Sequence, residues 1–457
     1  MTDSEKLRRI GLDKVALFFL LLAGLFFAKL ITSSRTDFKL SGPVTLQGTG
    51  LAVSVPAGGG FKQLSDSFQY DDNEFRLSCV LQISSNATVS VHWRYFLLPF
   101  EKAVSERFET QASAIAGHIE KTGSEQFGQF TFDYVKIVSD FGELNRAEKT
   151  VILLFSGTTR LPDGRTLALE VTQKGQHIDF AEKIFDSLAA SVTFTPVNPL
   201  SKGTELLNNF RSKDLADMTQ KKTTQNYYYI KNYTDQNLGF ITDAVGFKPH
   251  SADANSLAAA NLYFIHSGIN AFAEQSLFVS EPNIQTFKWA SQESDLLINR
   301  DSATSIGLGR DGLITVQKRN AVQNFTFTLT MLPEILLDIF VNSFLQSSFD
   351  SVMIDVILPD GRIAPALITR AEPQKPAEPN TASTVKVVFF GAGTDYQTMY
   401  FDSDGKILLS EVHGKISYKL ERTERDRIIA DFPQWLEKIQ RVEQSIFPKN
   451  RKGTPND

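Results

Sequence analysis

Fourteen consecutive apolar residues, Val15 to Ala28 in "KVALFFLLLAGLFFAKLITSS", leave the chain few ways to fold around them. Leu30 and Ile31 carry the run past Lys29 to 17 positions. At the α-helical rise, 17 residues span roughly 25 Å, near the short limit for a bilayer's hydrocarbon core. A buried core helix is a poor alternative, because a helix apolar on every side rarely sits at a chain terminus. A cleaved leader would be cut after Thr32, Ser33 and Ser34, which are small but do not form an A-x-A site. A retained anchor explains Lys29 better, since its stem can lie along the lipid while its ammonium reaches the headgroups. The sequence therefore predicts a cytoplasmic tail over 1–14 and a transmembrane signal-anchor over 15–33, with the lipid bilayer as partner. Lys6, Arg8, Arg9 and Lys14 before the run, against Lys29, Arg35 and Lys39 within and after it, favour an N-terminus inside. The expected location is a single-pass membrane protein with the bulk of the chain periplasmic or extracellular.

The rest of the chain reads as globular. Its 457 residues suggest two domains or three, and 42% hydrophobic with 22% charged residues can fill real cores. A net charge of -5 argues against a nucleic-acid partner. The single cysteine, Cys79, allows no intrachain disulfide and no CxxC metal or redox site. Alternation puts it on one strand face with Leu77, Leu81 and Ile83, as a buried structural thiol. Phenylalanine is in excess, 36 against 11 Tyr and 3 Trp. Aromatic residues suit pleated, half-buried surfaces, so β-rich cores take most of that excess, with a hydrophobic cavity as the alternative.

From about Gly48 the chain alternates like a series of hairpins, through "LAVSVP", "FRLSCVLQI", "VSVHWRYF", "FTFDYVKIV", "KTVILLF" and "TLALEVTQ". Apolar spacing predicts helices over 100–121 and 179–191. The opening "GLAVSVPAG" (50–58) and the closing "AEKIFDSLAASVTF" (181–194) resemble the first strand and the last helix and strand of the PsbP-like family. The resemblance covers residues 45–197, although the turn here reads "PAGGGF" and lacks the family's aromatic residue. It implies an antiparallel sheet between helices and a non-catalytic accessory role. It carries no functional residue.

Residues 204–450 form the second expected domain. A short helix over 204–217 leads into strands, and "LPEILLDIFVNSFLQSS" (332–348) reads as a strongly apolar helix with Pro333 in its first turn. Such a helix needs enclosure, most simply by a curved sheet. Phe340 and Phe344, one turn apart, are the candidate ligand-binding residues if it lines a pocket. Two amphipathic helices split by Pro433 close the chain. This pattern is loosely similar to the LolA-like lipoprotein-carrier architecture, which implies hydrophobic-ligand binding. The expected fold class is thus α+β: one transmembrane helix, then two antiparallel-sheet domains with packed helices.

Sequence motifs suggest turns more than chemistry. "GLGRDG" (307–312) matches G-x-G-x-x-G, but "LITVQK" follows it where a dinucleotide site needs a helix. "YFDSDGKILLSE" (400–411) mimics a calcium loop yet starts on Tyr400. Asp-Gly at 163, 311, 360 and 404, twice within "LPDGR", predicts hairpins. The six histidines form no short metal spacing, so no cofactor, metal or catalytic residue is assigned. The expected role is an accessory binding protein holding a lipid, a hydrophobic peptide or an envelope partner. The alternatives are an exported hydrolase with an unrecognised site and a structural subunit of an envelope complex.

Overall fold

The computed structural model describes residues 38–57, 62–71, 74–84, 87–98, 104–141, 150–175, 180–214, 224–251, 254–266, 270–279, 286–295, 300–371, 380–391, 394–414 and 417–446. The chain divides into two compact units. One comprises residues 1–46, 51–69 and 74–194; the other comprises 47–50, 70–73 and 195–457.

The first unit is built on a seven-stranded sheet. Its strands are β1 (Lys62–Asp71), β2 (Glu74–Ser84), β3 (Ala87–Phe96), β4 (His118–Phe127), β5 (Phe130–Phe141), β6 (Thr150–Arg160) and β7 (Thr166–Gly175). They lie in the order β1-β2-β3-β7-β6-β5-β4. One helix packs on each face. Phe108 and Ala112 of α1 (Val104–Ala114) meet Val135, Ile137 and Leu154. Phe185 of α2 (Phe180–Ala190) meets the rings of Phe127, Phe132, Tyr134 and Phe155 on the other side. The alternation of β5 explains the split, since Phe132 and Tyr134 point one way while Val135 and Ile137 point the other.

The helix expected over 100–121 ends at Ala114. Ala116 takes a φ of 48°, Gly117 follows, and His118 begins β4. Pairing with β5 from His118 opposite Val138 outweighs the helical spacing of Ile115 and Ile119.

The second unit carries a fifteen-stranded sheet made of two meanders. The first contains β8 (Thr224–Lys231), β9 (Asn237–Ser251), β10 (Ala254–His266), β11 (Asn270–Val279), β12 (Phe287–Asp295), β13 (Arg300–Leu308), β14 (Leu313–Lys318) and β15 (Ala321–Thr326). The second contains β16 (Met331–Pro333), β17 (Ser351–Ile357), β18 (Ile363–Ala371), β19 (Ser383–Phe389), β20 (Thr394–Phe401), β21 (Ile407–Gly414) and β22 (Tyr418–Arg422). They join where β8 pairs with β22, Tyr228 opposite Arg422. β16 and β17 are parallel.

The sheet curls far enough for its wings to touch. Gly361, in the β17–β18 turn, packs so close to Val316 of β14 that a Cβ there would lie 2.4 Å from Val316 Cγ1. Its φ of +80° is also one that favours glycine. All four Asp-Gly sites are hairpin turns of one kind. Leu161, Gly309, Leu358 and Asp402 each donate a backbone N–H to the carbonyl four residues on. Gly164, Gly312, Gly361 and Gly405 supply the positive φ. "GLGRDG" and "YFDSDG" are therefore turn chemistry.

The outer face of β8–β10 is covered by α5 (Arg425–Asp431) and α6 (Leu436–Ile446). Ile428, Trp435, Ile439 and Val442 close over Tyr227, Phe240, Leu262 and Phe264. The concave face is crossed by the segment 334–346. Met331–Pro333 is strand, Glu334–Leu336 a tight 3₁₀ turn, and α4 runs only from Leu337 to Gln346. Pro333 thus ends a short edge strand opposite Ile357 instead of opening the helix, a position proline tolerates. A further helix, α3 (Pro199–Asn209), starts on an Asn198–Ser201 capping box and runs into a π-helical turn at Phe210–Asp214.

Two expectations are corrected here. The α+β class with packed helices gives way to a mostly β molecule, in which the described helices are short and lie against two large sheets. The physical reason is that strand pairing claims most of the alternating apolar residues. No helix among the described residues is long and apolar enough to cross a membrane, so the single-pass location and signal-anchor are not supported. The run assigned to them, 15–33, lies outside the described residues. This says nothing about spanning by strands.

Candidate functional site

Between the concave face of the second sheet and the 334–346 segment lies a cavity of about 860 Å³. Strand alternation decides what faces it. Along β9, Ile241, Asp243 and Val245 turn inward, while Phe240 and Ala244 pack under α5 and α6. Cross-strand register extends the inner face. Asn226, Asp243, Asn261 and Gln275 stand opposite one another on β8, β9, β10 and β11. Tyr228, Ile241, Tyr263, Ala273 and Glu293 form the next row, as far as β12. The opposite wall is built from Glu334, Ile335, Leu337, Asp338 and Ile339, with the β17–β18 turn beside them. The volume falls within the range of small-molecule sites, roughly 300–1,000 Å³, and the lining mixes aliphatic, tyrosine and carboxylate groups.

The electrostatics of this cavity are unusual. Burial pushes the Asp243 carboxyl up to about 7; Asp338 adds repulsion, while the Asn226 side chain and Arg422 pull the other way. Asn226 Nδ2 donates to Asp243 Oδ2 at 2.9 Å. Burial likewise raises Glu334 to about 7, with Asp338, Asp360 and Glu293 contributing repulsion. Asp338 is raised to about 6 by burial alone. Asp338 keeps accessible surface and Glu334 keeps some, but both residues line the cavity, so protein replaces bulk water around them. The same desolvation holds the phenol of Tyr228 well above its ordinary range and raises Tyr263 to about 12.

Phe340 and Phe344 are fully buried, and neither lines the cavity. They belong to the stripe Leu337, Phe340, Val341, Phe344 that packs α4 onto its neighbours. Phe340 meets Phe210 edge-on at 5.5 Å. Phe344 lies under the Arg370 guanidinium at 5.2 Å. Arg370 also donates to the carbonyls of Phe344, Leu345 and Ser347, which ties down the C-terminal end of α4. The carboxylates were not among the sequence-derived candidates. One signal was available: Asp243 interrupts the apolar alternation of "LGFITDAVGF" where a solvent-facing residue has no reason to sit.

A second constellation lies in the first unit. Ser78, His92 and Glu170 stand opposite one another on β2, β3 and β7. His92 Nδ1 and Ser78 Oγ are 2.9 Å apart, and burial lowers the imidazole's pKa. The carboxylate is committed elsewhere: Glu170 Oε1 accepts from Gln111 Nε2 at 2.8 Å and Arg107 Nη2 at 3.1 Å. Among the described residues, no group of three His, Cys, Asp or Glu is placed to hold a metal.

No family model matches the chain, and no curated protein does. Among solved structures, it is similar to a β-barrel-like protein of a domain of unknown function from Brucella abortus. That likeness has 8% identity and a TM-score of 0.32, covering 44% of this chain and 95% of that one. It is also similar to the tail fibre of Staphylococcus aureus phage P68, at 8% identity, a TM-score of 0.12 and coverage of 84% and 70%. Neither likeness bears on function. The PsbP-like and LolA-like resemblances keep only their coarser content, a β-rich fold.

Proposed function

We propose that the second unit is a binding module that holds a lipid, a hydrophobic peptide or a similar amphipathic molecule, and that the chain acts by binding without catalysis. The observation that carries this is the cavity of about 860 Å³ between a curled sheet and the helix laid across it. Apolar groups on both sides, Ile241 and Val245 from β9 with Ile335, Leu337 and Ile339 opposite, suit an alkyl or aromatic body. The LolA-like reading of 204–450 belongs to this proposal as an analogy of architecture. The PsbP-like reading of 45–197 adds an accessory role for the first unit.

Titration of the full chain with the uncharged fluorescent probe N-phenyl-1-naphthylamine tests the reading. Saturable enhancement is expected, and Ala273→Trp, which places an indole in the cavity from β11, should weaken it with the fold retained by circular dichroism. Absence of saturable binding to the parent chain, or unchanged binding to the variant, would overturn the proposal.

The Ser78–His92 contact favours a second reading, a hydrolase, as far as a nucleophile beside a neutral base goes. It lacks the carboxylate to orient the base, because Glu170 is engaged by Gln111 and Arg107. Binding remains the better-supported function.

A further inference from the structure

The cavity wall is more acidic than an apolar ligand requires. Asp243, Glu293, Glu334, Asp338 and Asp360 line it, and Arg362 is the one cationic side chain among the lining residues. Arg362 is already engaged, its Nε 2.6 Å from Asp360 Oδ2. That leaves Asp243, Glu293, Glu334 and Asp338 around the same space without an ion-pair partner among the described residues. The positive end of a helix favours acids in its first turn, which accounts for Asp338 and in part for Glu334. It does not account for Asp243, in the middle of β9.

A second observation is independent of charge. Asp243 Oδ1 and Asn261 Oδ1 each have under 1 Å² of accessible surface and no hydrogen-bond partner among the described residues. They stand opposite each other on adjacent strands, and both residues line the cavity. With the Asp243 carboxyl ionised, neither of these oxygens on adjacent strands has a donor among the described residues, which disfavours the arrangement. A donor bearing positive charge would satisfy both oxygens and offset the crowded carboxylates at once.

We infer that the cavity selects a ligand whose polar end is an ammonium or guanidinium group joined to an apolar body, with its N–H donors directed at Asp243, Asn261 and the Asp338 carboxylate. The inference rests on the reading of the cavity as a binding site and names the chemistry of its ligand. The apolar body occupies the wall formed by Ile241, Ile335 and Ile339. Selectivity weakens as the carboxylates take up protons. The charged and titratable groups facing Asp243 are Tyr228, Asp338 and Arg422. Those facing Glu334 are Asp338, Asp360, Glu293 and Tyr418.

Calorimetric titration of the full chain with decylammonium, 1-decanol, decyl sulfate and ethylammonium separates head from body. At pH 8, decylammonium should bind roughly tenfold or more tightly than 1-decanol, the scale of a charge-assisted hydrogen bond. Decyl sulfate should be weakest. Ethylammonium should bind far more weakly than decylammonium; equal affinity would mean a bare cation site and would overturn the requirement for an apolar body. The ratio of decylammonium to 1-decanol affinity should shrink at pH 5, and in Asp243→Asn/Asp338→Asn. Should the double variant fail to fold, the pH comparison on the parent chain decides the matter alone. Equal binding of decylammonium and 1-decanol at pH 8 would overturn the inference while leaving the binding site intact. Failure of every decyl compound to bind would overturn both.

Discussion

Asp243 shares a face of β9 with Ile241 and Val245, and its ionisation has consequences for stability as well as for binding. Its carboxyl titrates near 7 in the folded protein, as does that of Glu334, against about 4 in an unfolded chain. Between those values the folded state holds more protons than the unfolded one. Stability contributed by these groups is therefore full below about pH 4, falls as pH rises towards 7, and levels off above. Asp243→Asn removes one such group without changing its shape. The variant should be more stable than the parent at pH 8, and the gap should close near pH 4, as read by urea denaturation at each pH. A gap independent of pH would show that Asp243 is not desolvated as described. At this scale the sequence was only partly legible. Cys79 lies buried on its predicted strand face, with Leu77 and Leu81. The role of Asp243 depends on what faces β9 from 95 residues away in the chain, and no local pattern encodes that.

Among elements, α4 shows what periodicity can and cannot tell. The apolar spacing of 332–348 announced a helix needing cover, and the 3.6-residue stripe Leu337, Phe340, Val341, Phe344 is buried. Which stripe faces the cavity was not legible, because Leu337, Asp338 and Ile339 reach it only through the curl of a sheet assembled from distant strands. Phe340 and Phe344 instead hold the helix in place from Phe210 and Arg370. Phe344→Ala should accordingly cost about 3–5 kcal/mol in chemical denaturation, as expected of a filled core. Binding of N-phenyl-1-naphthylamine below the new midpoint should be weakened only as far as the helix loosens. A cost under about 1 kcal/mol with complete loss of probe binding would return Phe344 to the ligand. The Asp-Gly hairpins were legible because a turn is local chemistry, whereas α1 stopped short of its apolar spacing because β4 pairs with β5.

Across the whole molecule, the two sheets differ in how their faces are covered. In the first unit, helices cover both faces of the sheet, with Phe108 on one side and Phe185 on the other. In the second, α5 and α6 cover the outer face of β8–β10, while the inner face keeps space beside the Glu334–Ile339 segment. Joining two meanders through β8 and β22 depends on partners about 190 residues apart, which alternation alone does not specify. We propose that the remaining space in the second unit holds an apolar chain. Anomalous diffraction from crystals of the full chain soaked with 10-bromo-1-decanol tests it most directly. A bromine peak is expected between β9–β11 and the Glu334–Ile339 segment, weakened in Ala273→Trp. A peak only on an outer surface, or none at saturating probe, would contradict it.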